Sequence, residues 1–160
     1  MPVTKLKDYL DSQYVKYVTI PHLPEFTAQE IAASAHIHGK DFAKTVMVKA
    51  DGKLAMAVVP ASHKVNLEQL CTVTGAKDLN LASEQEFKDK FPDCEIGAMP
   101  PFGNLYDMEV CVSETLSHDK EIAFNAGSHT ELIQLQYQDF ERLVHPKVAK
   151  ISLTESRQSG

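Results

Sequence analysis

A short loop rich in glycine and proline, residues 97–103, has a composition that leaves backbone N–H and C=O groups accessible for hydrogen bonds. It reads Gly-Ala-Met-Pro-Pro-Phe-Gly. Proline lacks the amide hydrogen that helices and inner strands require, and glycine leaves the backbone uncovered. A rigid loop of this kind can aim backbone N–H groups at a small polar group, such as the oxyanion formed when an ester is attacked. Plain structural turns use the same residues, so this pattern alone leaves both interpretations open.

A lysine lies in the middle of an otherwise apolar strand pattern, residues 42–48. The alternation of side chains along a strand places Lys44 on the same face as Phe42, Val46 and Val48. An unpaired ammonium group on a buried face is unfavourable. The position therefore indicates either a lysine that serves a site or a lysine on an exposed edge strand that extends its ammonium group to solvent.

Histidines and a second glycine segment complete the candidates for chemistry. Residues 125–128, Asn-Ala-Gly-Ser, are predicted to form a turn between two strands, and His129 follows them. His22 lies between two prolines in a predicted loop. His36 and His38 are spaced like a metal-binding pair, but no carboxylate or cysteine stands at ligand spacing, so no metal site is predicted. The sequence contains no serine elbow, phosphate-binding loop or dinucleotide fingerprint.

The composition is that of an ordinary globular domain. The chain has 160 residues, 43% of them hydrophobic and 24% charged, and its three cysteines form no C-x-x-C pair. The net charge of −6 argues against a protein that holds a long stretch of DNA or RNA, because such binding relies on phosphate neutralisation. No apolar run approaches the ~20 residues of a membrane helix, and the N-terminus lacks the apolar stretch of a signal peptide. We therefore expect a cytoplasmic protein without membrane or DNA partners.

The order of predicted elements indicates one mixed α/β domain with helices around a mixed sheet. Helices are predicted over residues 4–13, after Thr27, after Asn66, after Ser83 and over 138–144, and strands over 17–20, 42–49, 54–59, 108–112, 122–124 and 132–135. The dipeptide Asp51-Gly52 predicts a tight hairpin. We expect the domain to span residues 1–151 and a polar, mobile tail to span 152–160.

Taken together, three of these segments resemble the YbaK/EbsC family, which is related to the editing domain inserted in bacterial prolyl-tRNA synthetases. The segments are Phe-Ala-Lys-Thr-Val-Met-Val-Lys at 42–49, Gly-Ala-Met-Pro-Pro-Phe-Gly at 97–103 and Asn-Ala-Gly at 125–127. Their order and spacing carry the resemblance, which runs from about Leu6 to Val144. The fold that it implies is a mixed, barrel-like sheet with helices packed outside.

The resemblance implies hydrolysis, in trans, of the ester that joins a wrong amino acid to the 3′ end of a tRNA. It implies that Lys44 lines the pocket, and that the backbone of the two glycine segments lies close to the aminoacyl group. Neither a metal nor a cofactor is expected. The predicted catalytic residues are Lys44, Gly97, Asn125 and Gly127, and the predicted substrate-binding residues are His22, Thr45, Ala98, Met99, Pro101, Phe102, Gly103, Ala126, Ser128 and His129.

The identity of the amino acid stays open among alanine, cysteine, serine and threonine. Family members that act on cysteinyl-tRNA often have Gly-Gly in the loop and an aromatic residue in the preceding strand, where this chain has Ala98 and Ile20. Alanine editors tend to carry asparagine after the lysine, where this chain has Thr45. Met99, Phe102 and Val46 are the candidates for the pocket wall, with core packing as the alternative for each.

The expected partners are the acceptor end of a mischarged tRNA and an aminoacyl-tRNA synthetase that supplies tRNA selectivity. A monomer is favoured. The alternative function is a non-catalytic module that binds the aminoacyl end of tRNA or a related nucleotide ligand without turnover.

Overall fold

The computed structural model describes residues 4–21, 41–91, 94, 98–128 and 130–154. Its helices are α1 (Thr4–Ser12), α2 (Leu67–Thr74), α3 (Glu84–Phe87), α4 (Glu114–Ser117) and α5 (Tyr137–Val144). Its strands are β1 (Tyr17–Pro21), β2 (Ala43–Ala50), β3 (Lys53–Pro60), β4 (His63–Val65), β5 (Leu79–Leu81), β6 (Glu109–Ser113), β7 (Glu121–Ser128), β8 (Glu131–Gln136), β9 (Lys147–Ala149) and β10 (Ser152–Thr154). No helix in these ranges is both long and apolar enough to cross a membrane.

A five-stranded mixed sheet, in the order β5-β2-β3-β6-β9, forms one side of the molecule. Its central hairpin joins β2 to β3 through Asp51 and Gly52, whose φ angles are 51° and 86°. Two successive residues with positive φ match the twist of a two-residue hairpin, which explains why Asp-Gly occupies this turn. Strand β6 then pairs in parallel with β3, and β9 pairs in parallel with β6.

A second, antiparallel sheet has the order β1-β8-β7, and a small third sheet pairs β10 with β4. The first two sheets meet at a single parallel bridge between Phe42, just before β2, and Ala123 in β7. The result is the predicted mixed α/β domain, with a barrel-like arrangement that stays open within the described residues. The bridge matters for function because it sets the start of β2 beside β7.

Two apolar clusters hold the sheets together. The larger lies on the face of the five-stranded sheet that carries Met47 and Met56, and it includes Phe102, Phe124 and Phe140. The smaller lies on the opposite face, under α2, and contains Val48, Ala57, Val59, Leu70, Cys111 and Ile151. The faces of β2 therefore differ: Ala43 and Met47 pack into the larger cluster, and Val46 and Val48 pack into or against the smaller one.

Most predicted elements are confirmed where the structure describes them. The Asn66 side chain accepts a hydrogen bond from the Gln69 amide at the start of α2, and Gly75 ends that helix at a φ of 73°. The capping box predicted at Ser83 is also present. The helix predicted after Thr27 lies outside the described residues.

Two expectations need correction. Residues 125–128 are not a turn between strands: they continue β7, with an irregularity in its pairing with β8 between Asn125 and Ser128. The boundary predicted between residues 151 and 152 falls inside a paired segment, because Ser152–Thr154 form β10 against β4. Three other short strands and one short helix were missed: β4, β5, β9 and α4.

Candidate functional site

Lys44 lies in β2, opposite Val59 of β3, and is half-buried. Strand β5 pairs with β2 only at Val48–Ala50, so the edge of β2 near Lys44 has no partner from β5. Within the described ranges the Lys44 ammonium group makes neither a hydrogen bond nor an ion pair. A half-buried lysine near a strand edge fits both interpretations of the strand pattern, a lysine that serves a site and a lysine that extends its ammonium group to solvent.

The bridge between the sheets brings Lys44 and Asn125 to corresponding positions. Phe42 pairs with Ala123 in parallel, so the residues two places further along each strand are Lys44 and Asn125. Opposed residues of parallel strands point to the same face. Beyond the bridge, β7 pairs with β8 while β2 pairs with β3, so the two strands belong to different sheets. Lys44 and Asn125 thus lie on the same face of the gap between the two sheets, that is, of the junction just beyond the bridge.

Asn125 carries a buried acceptor that is not satisfied. Its Oδ1 atom is buried and has no hydrogen-bond partner among the described residues, although the residue as a whole is only half-buried. A buried acceptor without a donor destabilises a folded protein by about 1–3 kcal/mol. Such groups in native proteins call for an explanation, and a catalytic role is one of the usual ones, together with a bound water molecule or ion.

The glycine–proline loop is tied to β7 beside Asn125. The Gly127 amide donates a hydrogen bond of 2.8 Å to the Ala98 carbonyl oxygen. Gly127 has a φ of 95°, a conformation that side chains disfavour, so glycine is needed at this point. Ala98, Pro100 and Pro101 are buried. Two of the three segments that carry the resemblance are therefore in direct contact, and the third is joined to β7 by the bridge between Phe42 and Ala123.

The apolar residues of the loop support it from beneath. Phe102 is fully buried, with its ring 5.6 Å from the rings of both Phe124 and Phe140. Met99 belongs to the same cluster. Val46 packs toward the smaller cluster, on the opposite face of the sheet from Met99 and Phe102. The structure therefore does not bring these three residues together as one wall.

The remaining predicted site residues divide into those that the structure places and those that it does not. Thr45 is half-buried on the face of β2 opposite to Lys44, and Ala126 is buried in the larger cluster. Gly103 begins a short 3-10 turn against Met108 and Val110. His22, His36, His38, Gly97 and His129 lie outside the described residues. In the part of the chain that is described, no group of three or more His, Cys, Asp or Glu residues could hold a metal ion.

The ionisable groups with shifted pKa values lie away from this gap. A groove of about 940 Å³ at the far end of β2, beside the Asp51-Gly52 hairpin, includes Glu86 and Cys111 in its lining. The Lys49 ammonium group, hydrogen-bonded at 2.6 Å, lowers the pKa of Glu86 to about 2. Burial raises the pKa of the Cys111 thiol, which keeps it protonated and unreactive. This groove contains none of the residues that the sequence analysis assigned to the site.

Comparison with known proteins gives a match over most of the chain. The family model described as the aminoacyl-tRNA editing domain matches residues 22–143. The proline–tRNA ligases of Bacillus mycoides strain KBAB4 and Bacillus cereus strain AH187 are each 30% identical over 89 residues, which is 56% of this chain and 16% of theirs. The chain thus aligns with about a sixth of the length of these relatives.

Solved structures share the fold at low sequence identity. The crystal structure of a proposed trans-editing enzyme for prolyl-tRNA synthetase superposes with a TM-score of 0.81 at 18% identity, covering 97% of this chain and 98% of the other. A protein described only as hypothetical gives a TM-score of 0.83 at 18% identity, covering 93% and 99% of the two chains. At these identities the likeness establishes the fold alone.

Proposed function

The chain belongs to the aminoacyl-tRNA editing domain family, and from that premise we propose that it is a trans-editing deacylase. Its reaction is hydrolysis of the ester that joins a small, wrongly attached amino acid to the 3′ end of a tRNA. The observation that carries the proposal is the bridge between Phe42 and Ala123, which brings Lys44 and Asn125 to corresponding positions on one face, beside the loop that contacts Gly127.

The chemistry needs little from the protein because an aminoacyl ester is already reactive. The site must place the ester, admit one water molecule and stabilise the oxyanion that develops on the carbonyl oxygen. Backbone N–H groups in a rigid loop suit the last task, and removal of one such donor lowers rates by about 100- to 1,000-fold in studied cases. Gly97 is the proposed source of such a donor, and Gly127 holds the loop in place through its own amide, which donates to the Ala98 carbonyl oxygen.

Lys44 and Asn125 have complementary proposed roles. The Lys44 ammonium group attracts the terminal phosphate of the tRNA or polarises the ester carbonyl. The unsatisfied Asn125 Oδ1 accepts a hydrogen bond from the ribose hydroxyl or the amino group of the substrate. A ribose hydroxyl held in this way is placed to orient the attacking water, so neither a serine nucleophile nor a metal is required in this mechanism.

Substrate selection is proposed to follow from the size of the pocket. One methylene group changes binding by only about 1–3 kcal/mol, which is why a second hydrolytic site is useful after amino acid activation. Ala98, Pro101 and the segment 127–129 are the proposed neighbours of the amino acid side chain, whereas Thr45, Met99 and Ala126 lie on the opposite face and support the pocket from behind. Alanine, cysteine, serine and threonine are the proposed substrates.

The tRNA is proposed to bind through its acceptor end alone. A net charge of −6 disfavours a long phosphate track, so affinity for free tRNA should be weak and should depend only modestly on salt. We propose that a synthetase, in the cytoplasm, supplies the missing tRNA selectivity. A non-catalytic binding module is the alternative, since a polar gap with an unsatisfied acceptor would also serve binding without turnover.

A deacylation panel separates the two functions. tRNAs charged with alanine, cysteine, serine, threonine and proline are incubated with wild type, Lys44→Ala and Lys53→Ala. Lys53→Ala is the matched control, because it removes one exposed lysine from the neighbouring strand at the far end of the hairpin. An enzyme releases one or two of the amino acids, loses this activity in Lys44→Ala and keeps it in Lys53→Ala. Binding of the charged tRNA without release of any amino acid supports the alternative.

A further inference from the structure

A series of hydrogen bonds links three side chains on the same face of the five-stranded sheet as Lys44. The Ser113 and Ser152 hydroxyl oxygens are 2.9 Å apart, and the Ser152 hydroxyl oxygen is 2.9 Å from His63 Nδ1. Both serines are at least nine-tenths buried. The three residues come from β6, β10 and β4, and two of them, Ser113 and Ser152, are the buried polar residues of the described core.

Only one assignment of donors and acceptors in this hydrogen-bonded series gives every serine hydroxyl hydrogen an acceptor. Ser113 Oγ already accepts a hydrogen bond from the Thr115 amide. If Ser113 donates to Ser152, and Ser152 donates to His63 Nδ1, every hydroxyl hydrogen has an acceptor. If His63 Nδ1 carried a hydrogen instead, one of the two buried hydroxyl hydrogens would lack an acceptor among the described residues, which is unfavourable. His63 is therefore assigned the neutral form with its hydrogen on Nε2.

The hydrogen-bonded series lies next to the turn between β3 and β4, which contacts the residue before β2. His63 is two residues from Ala61, whose amide donates a 2.6 Å hydrogen bond to the Phe42 carbonyl oxygen. Phe42 is the residue that bridges to Ala123 and so aligns Lys44 with Asn125. Loss of the Ser152 hydroxyl would remove the side-chain link from His63 to Ser113 while leaving β4 paired with β10, and we expect the loosened turn to act on Phe42 through Ala61.

We propose that Ser113, Ser152 and His63 are positioning residues that keep Lys44 aligned with Asn125. Strand β10 supplies Ser152, the residue that links the other two. This proposal rests on the proposed function for the importance of Lys44, but its structural part does not. Ser113 and Ser152 escape sequence analysis because isolated serines on separate strands show no spacing that relates them. Residues 144–154, which supply β9 and β10, also lie outside the segment matched by the family model.

The test compares Ser152→Ala with Ser152→Thr, which keeps a hydroxyl, and with Leu153→Ala, which changes an exposed residue of the same strand. The first measurement is the tautomer of His63 from long-range ¹H–¹⁵N spectra, together with hydrogen exchange of the Ala61 amide. We expect the Nε2–H form in wild type, and faster Ala61 exchange in Ser152→Ala only. A hydrogen on His63 Nδ1 in wild type, or unchanged Ala61 exchange in Ser152→Ala, overturns the proposal.

The second measurement is single-turnover deacylation by the same variants under saturating enzyme. We expect a rate about 10-fold or more below wild type in Ser152→Ala, because small displacements of catalytic groups strongly reduce rates. KM should change little, and Ser152→Thr should recover most of the rate. If Ser152→Ala deacylates at the wild-type rate, Ser152 has no positioning role. If wild type itself releases no amino acid, the proposed function fails, while the tautomer and exchange results still decide the structural part.

Discussion

Gly103 is the position where the structure makes its sharpest prediction about stability. A Cβ atom added there would lie 2.5 Å from the Met108 carbonyl oxygen and 2.6 Å from Val110 Cγ2. The φ angle of Gly103 is outside the left-handed region, so the cost of Gly103→Ala is steric rather than conformational. The Gly103 carbonyl oxygen also accepts hydrogen bonds from the Tyr106 and Met108 amides, which limits how far the backbone can move away.

The magnitude follows from the two contacts. Overpacking a tight site destabilises proteins by about 1–3 kcal/mol, and a contact with backbone belongs at the upper end of that range because the carbonyl cannot rotate away. For a chain of this length, a loss of about 3 kcal/mol lowers the melting temperature by about 6–12 °C. We expect this shift in thermal unfolding followed by circular dichroism, and a matching decrease in the free energy of unfolding in urea.

Two further variants make the reasoning refutable. Gly52→Ala places a Cβ in open space at a φ of 86°, so it tests conformational cost alone and should lose only about 1–2 kcal/mol. Val110→Ala removes one of the two clashing atoms, so the double variant with Gly103→Ala should be more stable than the sum of the single losses. A Gly103→Ala protein within about 0.5 kcal/mol of wild type, a value typical of unconstrained surface positions, would refute the steric argument.

Other predictions concern parts of the fold remote from the gap. Asn66→Ala should reduce the free energy of unfolding by about 1 kcal/mol, because it removes the side-chain acceptor for the Gln69 amide at the start of α2; chemical denaturation measures this, and an unchanged midpoint would show that the cap is unimportant. Lys49→Ala should raise the pKa of Glu86 from about 2 toward 4.5, as followed by the carboxyl ¹³C shift in an NMR titration. Since the folded pKa of Glu86 is the lower one, its contribution to stability is present above pH 4.5 and is lost as the pH falls toward 2, and Lys49→Ala should reduce that dependence, leaving the part that comes from the Ser83 hydrogen bonds. An unshifted Glu86 titration in Lys49→Ala would mean that the ion pair does not form in solution.

Local signals predicted the elements whose formation depends on nearby residues. The Asp51-Gly52 hairpin and the α2 cap at Asn66 are each decided within a few residues, and both are present. Strand pairing between segments that are distant in the sequence could not be predicted from local signals. β4 and β9 are three-residue strands that exist because β10 and β6 lie beside them, and nothing in three residues indicates such partners. A tail that looked polar is paired because Ser152 finds partners 39 and 89 residues away.

At the candidate site, too, single residues could be predicted from local patterns, but contacts between distant segments could not. The unusual position of Lys44 was evident from strand alternation, since one charged residue interrupts an apolar face. Its relation to Asn125 was not, because it depends on the bridge between Phe42 and Ala123. The glycine of the segment 125–127 suggested a turn, whereas Gly127 instead allows an irregularity inside β7, where its amide reaches Ala98. Composition identified the residues, and tertiary pairing decided how they meet.

The most direct test of the proposed site uses Asn125→Leu, which replaces the buried, unsatisfied acceptor with an apolar side chain of similar size. Removal of such an acceptor should leave the free energy of unfolding unchanged or raise it by about 1 kcal/mol. The same change should lower single-turnover deacylation of the preferred substrate by about 100-fold or more, because the substrate loses its hydrogen-bond acceptor. A variant that is folded, at least as stable as wild type and nearly inactive is the predicted result. Full deacylation activity in a folded Asn125→Leu protein would contradict the account.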